Sequence, residues 1–410
     1  MVSTMEMIKG GVTAAQGFEA AGIYAGIKKK RKDMALVYTK TPAVAAGTFT
    51  TNVVKAAPVK WDMKLIQSNK EMHAVVLNSG VANACTGAVG DVNNELMAKA
   101  VAESLGIETD TVLTASTGVI GKQLPIDVIV EGAKMLAEEL SDTLEAGNLA
   151  AQAIMTTDTI SKECAVTIIV DGKTVTIGGM SKGSGMIHPN MATMLGVVTT
   201  DLAISKELLQ DAVSADVKKS FNMISVDRDT STNDSLMVLA NGVAGNATIT
   251  EKNEDYAKFC EALNYVTTTL AKLMAGDGEG AQKLLEAKII HASTYEQAEL
   301  LSKSIITSNL VKTAVFGNDA NWGRIFCAMG YAGVDFNPDV VDLYIESEEG
   351  KLKLVENGMA TDYSEEIATK ILSGKEVTAI ADMKAGDETA TAWGCDLTYD
   401  YVKINADYRS

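Results

Sequence analysis

AVTIIVDGKTVTIGGMSKGSGMIHPNMATMLGVVTT, residues 165–200, is the stretch on which the fold turns. Two β-rich runs, 165–170 and 173–177, flank Asp171-Gly172. An Asp-Gly pair between such runs predicts a hairpin, because a tight turn needs residues that tolerate positive φ. The glycines crowding 178–185 predict that regular structure gives out there, since glycine is a poor interior residue for helix or strand. His188-Pro189-Asn190 leads on to Met191-Ala192-Thr193. Residues 194–199 are apolar and β-branched, so a buried strand should begin directly after Thr193.

Outward from this stretch, strand and helix patterns alternate, which predicts an α/β chain with layered mixed architecture. Residues 73–77 read as a buried strand ending in the turn signal Asn78-Ser79-Gly80. Residues 126–140 carry apolar positions at helical spacing, with Pro125 at the start. Ser205 is placed to cap a helix running past Val217, and 235–240 reads as another buried strand. Phe259, Leu263, Val266, Leu270 and Leu273 mark a long amphipathic helix that stops at Gly276-Asp277-Gly278-Glu279-Gly280. Beyond it come a hairpin around Glu349-Gly350 and a helix opening at Ser364. This suggests a catalytic α/β domain over 1–280 and a smaller α+β domain over 281–410.

Composition narrows the function. The 410 residues carry a net charge of −17, which repels phosphate backbones and argues against nucleic acid. The one basic block, Lys28-Lys29-Lys30-Arg31-Lys32, is expected to be a solvated patch. Five scattered cysteines, with no CxxC pair, disfavour a disulfide framework and fit a reducing cytoplasm. The N-terminal residues lack the apolar core of a signal peptide, and no run is long enough to span a membrane. With only three histidines, neither a metal centre nor a Ser-His-Asp triad is expected, so the chemistry needs another base.

Thr193 offers one. If the Ala192–Thr193 bond breaks, the threonine gains a free α-amine beside its hydroxyl. That amine has an ordinary pKa of about 8, suited to accept the hydroxyl proton. Composition alone leaves open that Thr193 merely opens a strand. A second candidate is Ser116-Thr117-Gly118-Val119-Ile120-Gly121, where backbone N–H groups and a threonine hydroxyl could hold a developing oxyanion. A tight turn before a helix would use the same residues. The segment 276–280 has GxGxG spacing and two acids, which suits a cationic amine at Glu279 better than a pyrophosphate. Asp227, Asp229, Asn233 and Asp234 lack the glycine and glutamate of a calcium loop and are assigned to capping and turns. His188 is read as structural, Trp322 as packing, and Arg324 as the partner of a carboxylate.

These segments, in order, resemble the ornithine acetyltransferase family, the bifunctional glutamate N-acetyltransferases. The resemblance begins at Gly11-Val12-Thr13-Ala14 and takes in Ala82-Asn83-Ala84-Cys85-Thr86-Gly87 and Thr156-Thr157-Asp158-Thr159. Its most specific piece is Pro189-Asn190-Met191-Ala192-Thr193-Met194-Leu195. It continues through Asn321-Trp322-Gly323-Arg324 to Ile404-Asn405-Ala406-Asp407-Tyr408-Arg409-Ser410. Val81 and Arg228 depart from the pattern, and neither lies in the nucleophile segment.

The resemblance implies a fold related to certain aminopeptidases. It implies self-cleavage at Ala192–Thr193 into an α chain, 1–192, and a β chain, 193–410. Thr193 would carry acetyl from N-acetylornithine to glutamate by ping-pong kinetics, with no cofactor. Acetyl-CoA as an additional donor is left open. Thr117 and Gly118 would form the oxyanion hole. Thr156, Lys182, Thr193, Glu279, Asn405 and Ser410 would contact substrate, with Thr156 and Thr157 not told apart. Paired α and β chains would form a heterotetramer in the cytoplasm. The rival expectations are an N-terminal-nucleophile amidase or aminopeptidase, which hands its acyl group to water, and an uncleaved binding protein.

Overall fold

The computed structural model describes residues 5–188 and 194–407 and divides into two compact units. The first comprises residues up to Gly183, then Pro189–Asn222 and Thr230–Leu270. The second comprises Ser184–His188, Met223–Asp229 and Ala271–Ser410. The second unit is thus assembled from three stretches of chain, two of them threaded through the first unit's sequence.

The first unit is built on a nine-stranded mixed sheet. Its strands are β1 (Glu6–Ile8), β2 (Phe18–Ile23), β3 (Met34–Phe49), β4 (Met72–Val81), β5 (Val112–Val119), β6 (Lys162–Val170), β7 (Lys173–Lys182), β8 (Leu195–Thr200) and β9 (Ser235–Ala240). The order is β1-β6-β7-β8-β9-β3-β4-β5, with β2 also on β3. Helices α1 (Ala57–Gln67), α2 (Gly87–Leu105), α3 (Ile126–Glu138), α4 (Leu144–Ala153) and α5 (Lys206–Asp216) cover it, and α6 (Glu254–Gly276) follows.

Both faces of the sheet are buried. Ala35, Val37, Val75, Leu77, Leu113 and Ala115 join one core with Ala150 and Ile154. The alternate residues Met34, Leu36, Ala74, Val76 and Val112 join a second core with Met97, Val101, Ile129 and Leu136. Side chains alternate along a strand, so two-sided burial requires the unbroken apolar runs that mark β4 and β9.

The hairpin forms as expected, with Asp171 at φ 49° and Gly172 at φ 70° turning β6 into β7. Three sequence expectations are corrected. First, β7 does not stop before the glycines but runs through Gly178 and Gly179 to Lys182. A side chain at Gly178 would be driven into the Gly11 carbonyl, so close packing across the sheet demands glycine inside a strand. Second, Asn78-Ser79-Gly80 does not end its strand, and Ser116-Thr117-Gly118 is no turn before a helix. Both lie in the parallel β4–β5 pair, where Ser79 faces Thr117 and Gly80 faces Gly118. Third, α5 ends at Asp216, short of the extension past Val217, although Ser205 caps it by accepting from the Leu208 amide.

The second unit holds a six-stranded sheet: β10 (Leu284–Ala292), β11 (Asp342–Ser347), β12 (Gly350–Glu356), β13 (Met359–Ala360), β14 (Glu376–Asp382) and β15 (Glu388–Cys395). Its order is β13-β12-β11-β14-β10-β15. With it go α7 (Tyr295–Thr307), α8 (Asn309–Phe316), α9 (Trp322–Gly330), α10 (Glu365–Leu372) and α11 (Tyr399–Ala406). The hairpin at Glu349-Gly350 and the Ser364 cap of α10 form as expected.

Candidate active site

The first unit gathers Thr117, Gly118, Thr156 and Lys182. Parallel pairing brings the ends of β4 and β5 side by side, and their shape is fixed by buried polar side chains. The Ser116 hydroxyl donates to Asn78 Oδ1 at 2.6 Å, and Asn78 Nδ2 donates to the Val81 carbonyl at 2.9 Å. From β9's approach, Asn233 Nδ2 donates to the carbonyls of Ala82 at 2.6 Å and Ser116 at 2.8 Å. Gly118 then sits at φ 129°, and a side chain on it would be driven into the Gly80 carbonyl group. Only glycine lets the two strand ends close at this point.

Lys182, the last residue of β7, is buried, with its side chain 9% exposed. Its ammonium donates to Thr156 Oγ1 at 2.9 Å and Thr117 Oγ1 at 3.4 Å. An ammonium can only donate, so the Thr117 oxygen accepts and its own proton is left to point elsewhere. The structure thereby separates the two neighbouring threonines, setting Thr156 rather than Thr157 against Lys182.

Sequence reasoning missed the carboxylate that organises these groups. Asp158 is fully buried with Lys162, whose ammonium lies 2.8 Å from Oδ1. The same carboxylate accepts from the amides of Gly183 at 2.7 Å and Thr156 at 2.9 Å. Burial alone would raise its pKa, but Lys182 and Lys162 outweigh that and hold it below the usual carboxylate range. The visible signal was an Asp and a Lys four residues apart around Thr156-Thr157. Asp234 was assigned only to a turn, yet it is enclosed beside the start of β8 and only 2% exposed. Burial pushes its carboxyl well up, against hydrogen bonding from Ser231 and the charge of Lys182.

The basic block at 28–32 corrects a further expectation: it is not simply a solvated patch. Lys28 folds inward and its ammonium donates to the Met155 carbonyl at 2.9 Å.

The second unit gathers Glu279 and Asn405. Ser184 fastens the 276–280 turn from two directions, donating its hydroxyl to the Asp277 carbonyl at 2.7 Å and accepting from the Glu279 amide at 2.9 Å. A side chain at Gly185 would collide with the Glu279 carboxylate, so the carboxylate lies flat on bare backbone. Asn405, on α11, donates to Glu279 Oε2 at 2.7 Å. Glu279 is 7% exposed, and an amide donor offsets a buried carboxylate less than a full charge would.

His188 is structural, as read: its Nδ1 lies 3.1 Å from Ser225 Oγ, and burial, then Lys303 and Arg228, push its pKa down. Asp227 accepts from the amides of Met186 at 2.6 Å and Ile187 at 2.8 Å, the turn role assigned to it. Among the described residues Arg324 pairs no carboxylate; its guanidinium donates to the Leu310 carbonyl at 2.9 Å and Thr313 Oγ1 at 3.3 Å. Ala192, Thr193 and Ser410 lie outside the described residues. Among the described residues, no group of acids, cysteines or histidines is arranged to hold a metal, and no helix is long and apolar enough to cross a membrane.

A mixed α/β frame, with a buried lysine and threonine hydroxyls at a glycine-lined strand end, offers the hydrogen-bond donors that an acyl-transferring enzyme uses. The sequence profile of the ArgJ family matches residues 19–410, and the chain belongs to that family. It is a glutamate N-acetyltransferase of arginine biosynthesis. It is 51% identical over 406 residues to an arginine biosynthesis bifunctional protein of Caldanaerobacter subterraneus, covering 99% of this chain and all of that one. A protein of the same name from Thermotoga neapolitana is 48% identical over 397 residues, 96% of this chain and 99% of that one. Among solved structures, an ornithine acetyltransferase of Mycobacterium tuberculosis, crystallised with ornithine, is 40% identical over 47% of this chain and all of that chain, with a TM-score of 0.43. The amidase and binding-protein readings are not favoured by these relatives.

Proposed function

We propose that Thr193, exposed by self-cleavage after Ala192, carries acetyl from N-acetylornithine to glutamate. In the first half-reaction its hydroxyl attacks the acetyl carbonyl and its own α-amine takes the hydroxyl proton. The carbon–nitrogen bond breaks, that proton passes to the departing ornithine amine, and acetyl remains as an ester on the threonine. The glutamate amine then attacks the ester and regenerates the hydroxyl. The Thr117 hydroxyl and Gly118 amide receive the negative charge that develops on the carbonyl oxygen in both steps. Lys182 receives the α-carboxylate common to both substrates, with Thr156 beside it. Glu279, held by Asn405, receives the ornithine side-chain ammonium, and Ser410 closes the binding set.

The observation that carries this reading is the position of Lys182. One buried cation touches both the proposed oxyanion residue Thr117 and the proposed binding residue Thr156. A carboxylate paired to it would lie next to the groups that stabilise the reacting carbonyl. The reaction calls for no cofactor, and acetyl-CoA would serve only as an additional donor. In this reading the enzyme works in the cytoplasm as a heterotetramer of α and β chains.

Mass spectrometry tests the scheme. Purified protein should give two chains, the second beginning at Thr193. N-acetylornithine should add one acetyl group to that second chain, and glutamate should remove it. Thr193→Ala should remain a single inactive polypeptide; turnover at the normal rate by that variant would remove the threonine from the mechanism.

A further inference from the structure

We propose that Lys28 is a second substrate-binding cation, placed to share with Lys182 the α-carboxylate of N-acetylornithine and of glutamate. This rests on the assignment of that carboxylate to Lys182.

The position of Lys28 is built, not incidental. Asp33 is wholly buried at the root of the basic loop and accepts from the amides of Ala25 at 2.7 Å, Lys28 at 2.8 Å and Gly26 at 3.1 Å. Those three bonds fix the loop backbone at Lys28 itself. The side chain then lies along Gly80, where an added Cβ would stand 3.0 Å from Lys28 Cγ. Gly80 is the register partner of Gly118, so the lysine stem lies on the strand end that pairs with the proposed oxyanion residue. Its ammonium reaches the Met155 carbonyl at 2.9 Å, one residue before Thr156, whose hydroxyl receives Lys182. Two ammonium groups are therefore delivered to the same short segment by unrelated parts of the chain.

The acids nearest Lys28 are already engaged. Asp33 is engaged with three backbone amides, and Asp158 holds Lys162 and the amides of Thr156 and Gly183. Burial disfavours the charged form of an ammonium, and a bound carboxylate beside it would favour that form. An ammonium has three donors and the Met155 carbonyl takes one, which leaves capacity for a carboxylate. The Lys28 pKa reflects that burial. Burial first, then Arg31 and Lys182, lower it, against Asp33 and Asp158, to about 8.

The test compares wild type, Lys28→Met, Lys28→Arg and Lys182→Met with N-acetylornithine and glutamate, each variant first checked for two chains and a native circular dichroism spectrum. Lys28→Met should raise KM for both substrates by roughly 10- to 100-fold with kcat little changed, the loss expected for a hydrogen bond to a charged group. Lys28→Arg keeps its charge at all pH values. The ratio of wild-type to Lys28→Arg kcat/KM should therefore fall between pH 7 and 9 as the lysine alone discharges, while effects of the threonine amine cancel. That ratio also serves if the methionine variant does not fold. A raised KM in Lys182→Met alone, or a ratio constant across pH, overturns the role of Lys28. An unchanged KM in both methionine variants overturns the carboxylate assignment itself.

Discussion

Lys182 stands 4.0 Å from Asp158 Oδ2, too far for a direct hydrogen bond, while Lys162 takes the other oxygen at 2.8 Å. The acid therefore fixes the position of Lys182 through Gly183 and Thr156, and its charge reaches Lys182 as well. A binding cation needs such fixing. It must be held still, because an α-carboxylate misplaced by about an ångström carries the reacting carbonyl away from its donors.

Asp158→Asn should therefore damage the fold more than any exposed charge change. The substitution strands Lys162, whose side chain is 0% exposed, and a stranded buried charge costs about 3–5 kcal/mol. The pH dependence follows from the direction of the shift. Asp158 is held below its unfolded value of about 4, so its stabilisation is complete above that pH and drains away as pH falls toward the folded value. Urea unfolding should show the full difference between wild type and variant at pH 7, and a shrinking one below about pH 4. A difference independent of pH would mean that the carboxylate charge is not what stabilises Lys162.

Thr117→Ala should lower kcat by roughly 10²–10³ with little change in KM, since a group aimed at charge that develops only in the transition state contributes little to ground-state binding. The variant should still fold, because Thr117 is half-buried and belongs to none of the core clusters. Single-turnover formation of the acetyl-threonine separates this outcome from slow product release. Gly118→Ala differs in kind: with φ at 129° and Gly80 in the way, its first effect is loss of stability.

Glu279→Gln keeps the shape of the side chain and an oxygen to accept from Asn405, but removes the charge. KM for N-acetylornithine should rise by roughly 10-fold or more, the worth of a charge-assisted hydrogen bond. Glutamate brings no side-chain cation, so its KM should not rise. Steady-state kinetics with each substrate varied in turn will show the asymmetry, and equal losses for both would place Glu279 elsewhere in the reaction.

Much of this was legible in the sequence, for identifiable reasons. The Asp171-Gly172 hairpin, β9 and α10 were readable because their signals are local: a turn dipeptide, an apolar run and a capping serine. The glycines at 178 and 179 misled because their causes lie elsewhere in the chain: Gly178 is pressed by the Gly11 carbonyl, more than 160 residues away, and Gly179 by Val198 and Leu270. The extension of β4 through Asn78-Ser79-Gly80 was hidden likewise, since a parallel partner is supplied by a strand some 40 residues later. Thr117, Lys182, Glu279 and Asn405 were singled out as candidates through ordered motifs. Lys28 and Asp158 were not singled out, because a lysine in a basic run and an aspartate among threonines look like solvated residues until burial is known.

Asp62 offers a test away from the chemistry. It sits in α1, 0% exposed, and ties that helix to β5 by accepting from Thr114 N at 2.9 Å and Oγ1 at 3.3 Å. Its second oxygen has no partner among the described residues. Burial pushes its pKa well up, against the two bonds from Thr114. For an acid raised on folding, the neutral form is the one the fold favours, so stability is greatest below the unfolded value and declines as pH rises toward the folded one. Asp62→Asn preserves an acceptor for Thr114 and removes the titration. The asparagine variant should gain on wild type as pH is raised from 5 to 8. Urea midpoints at the two pH values will show the crossover, and a variant that is equally weakened at both would mean that Asp62 stays charged inside the fold.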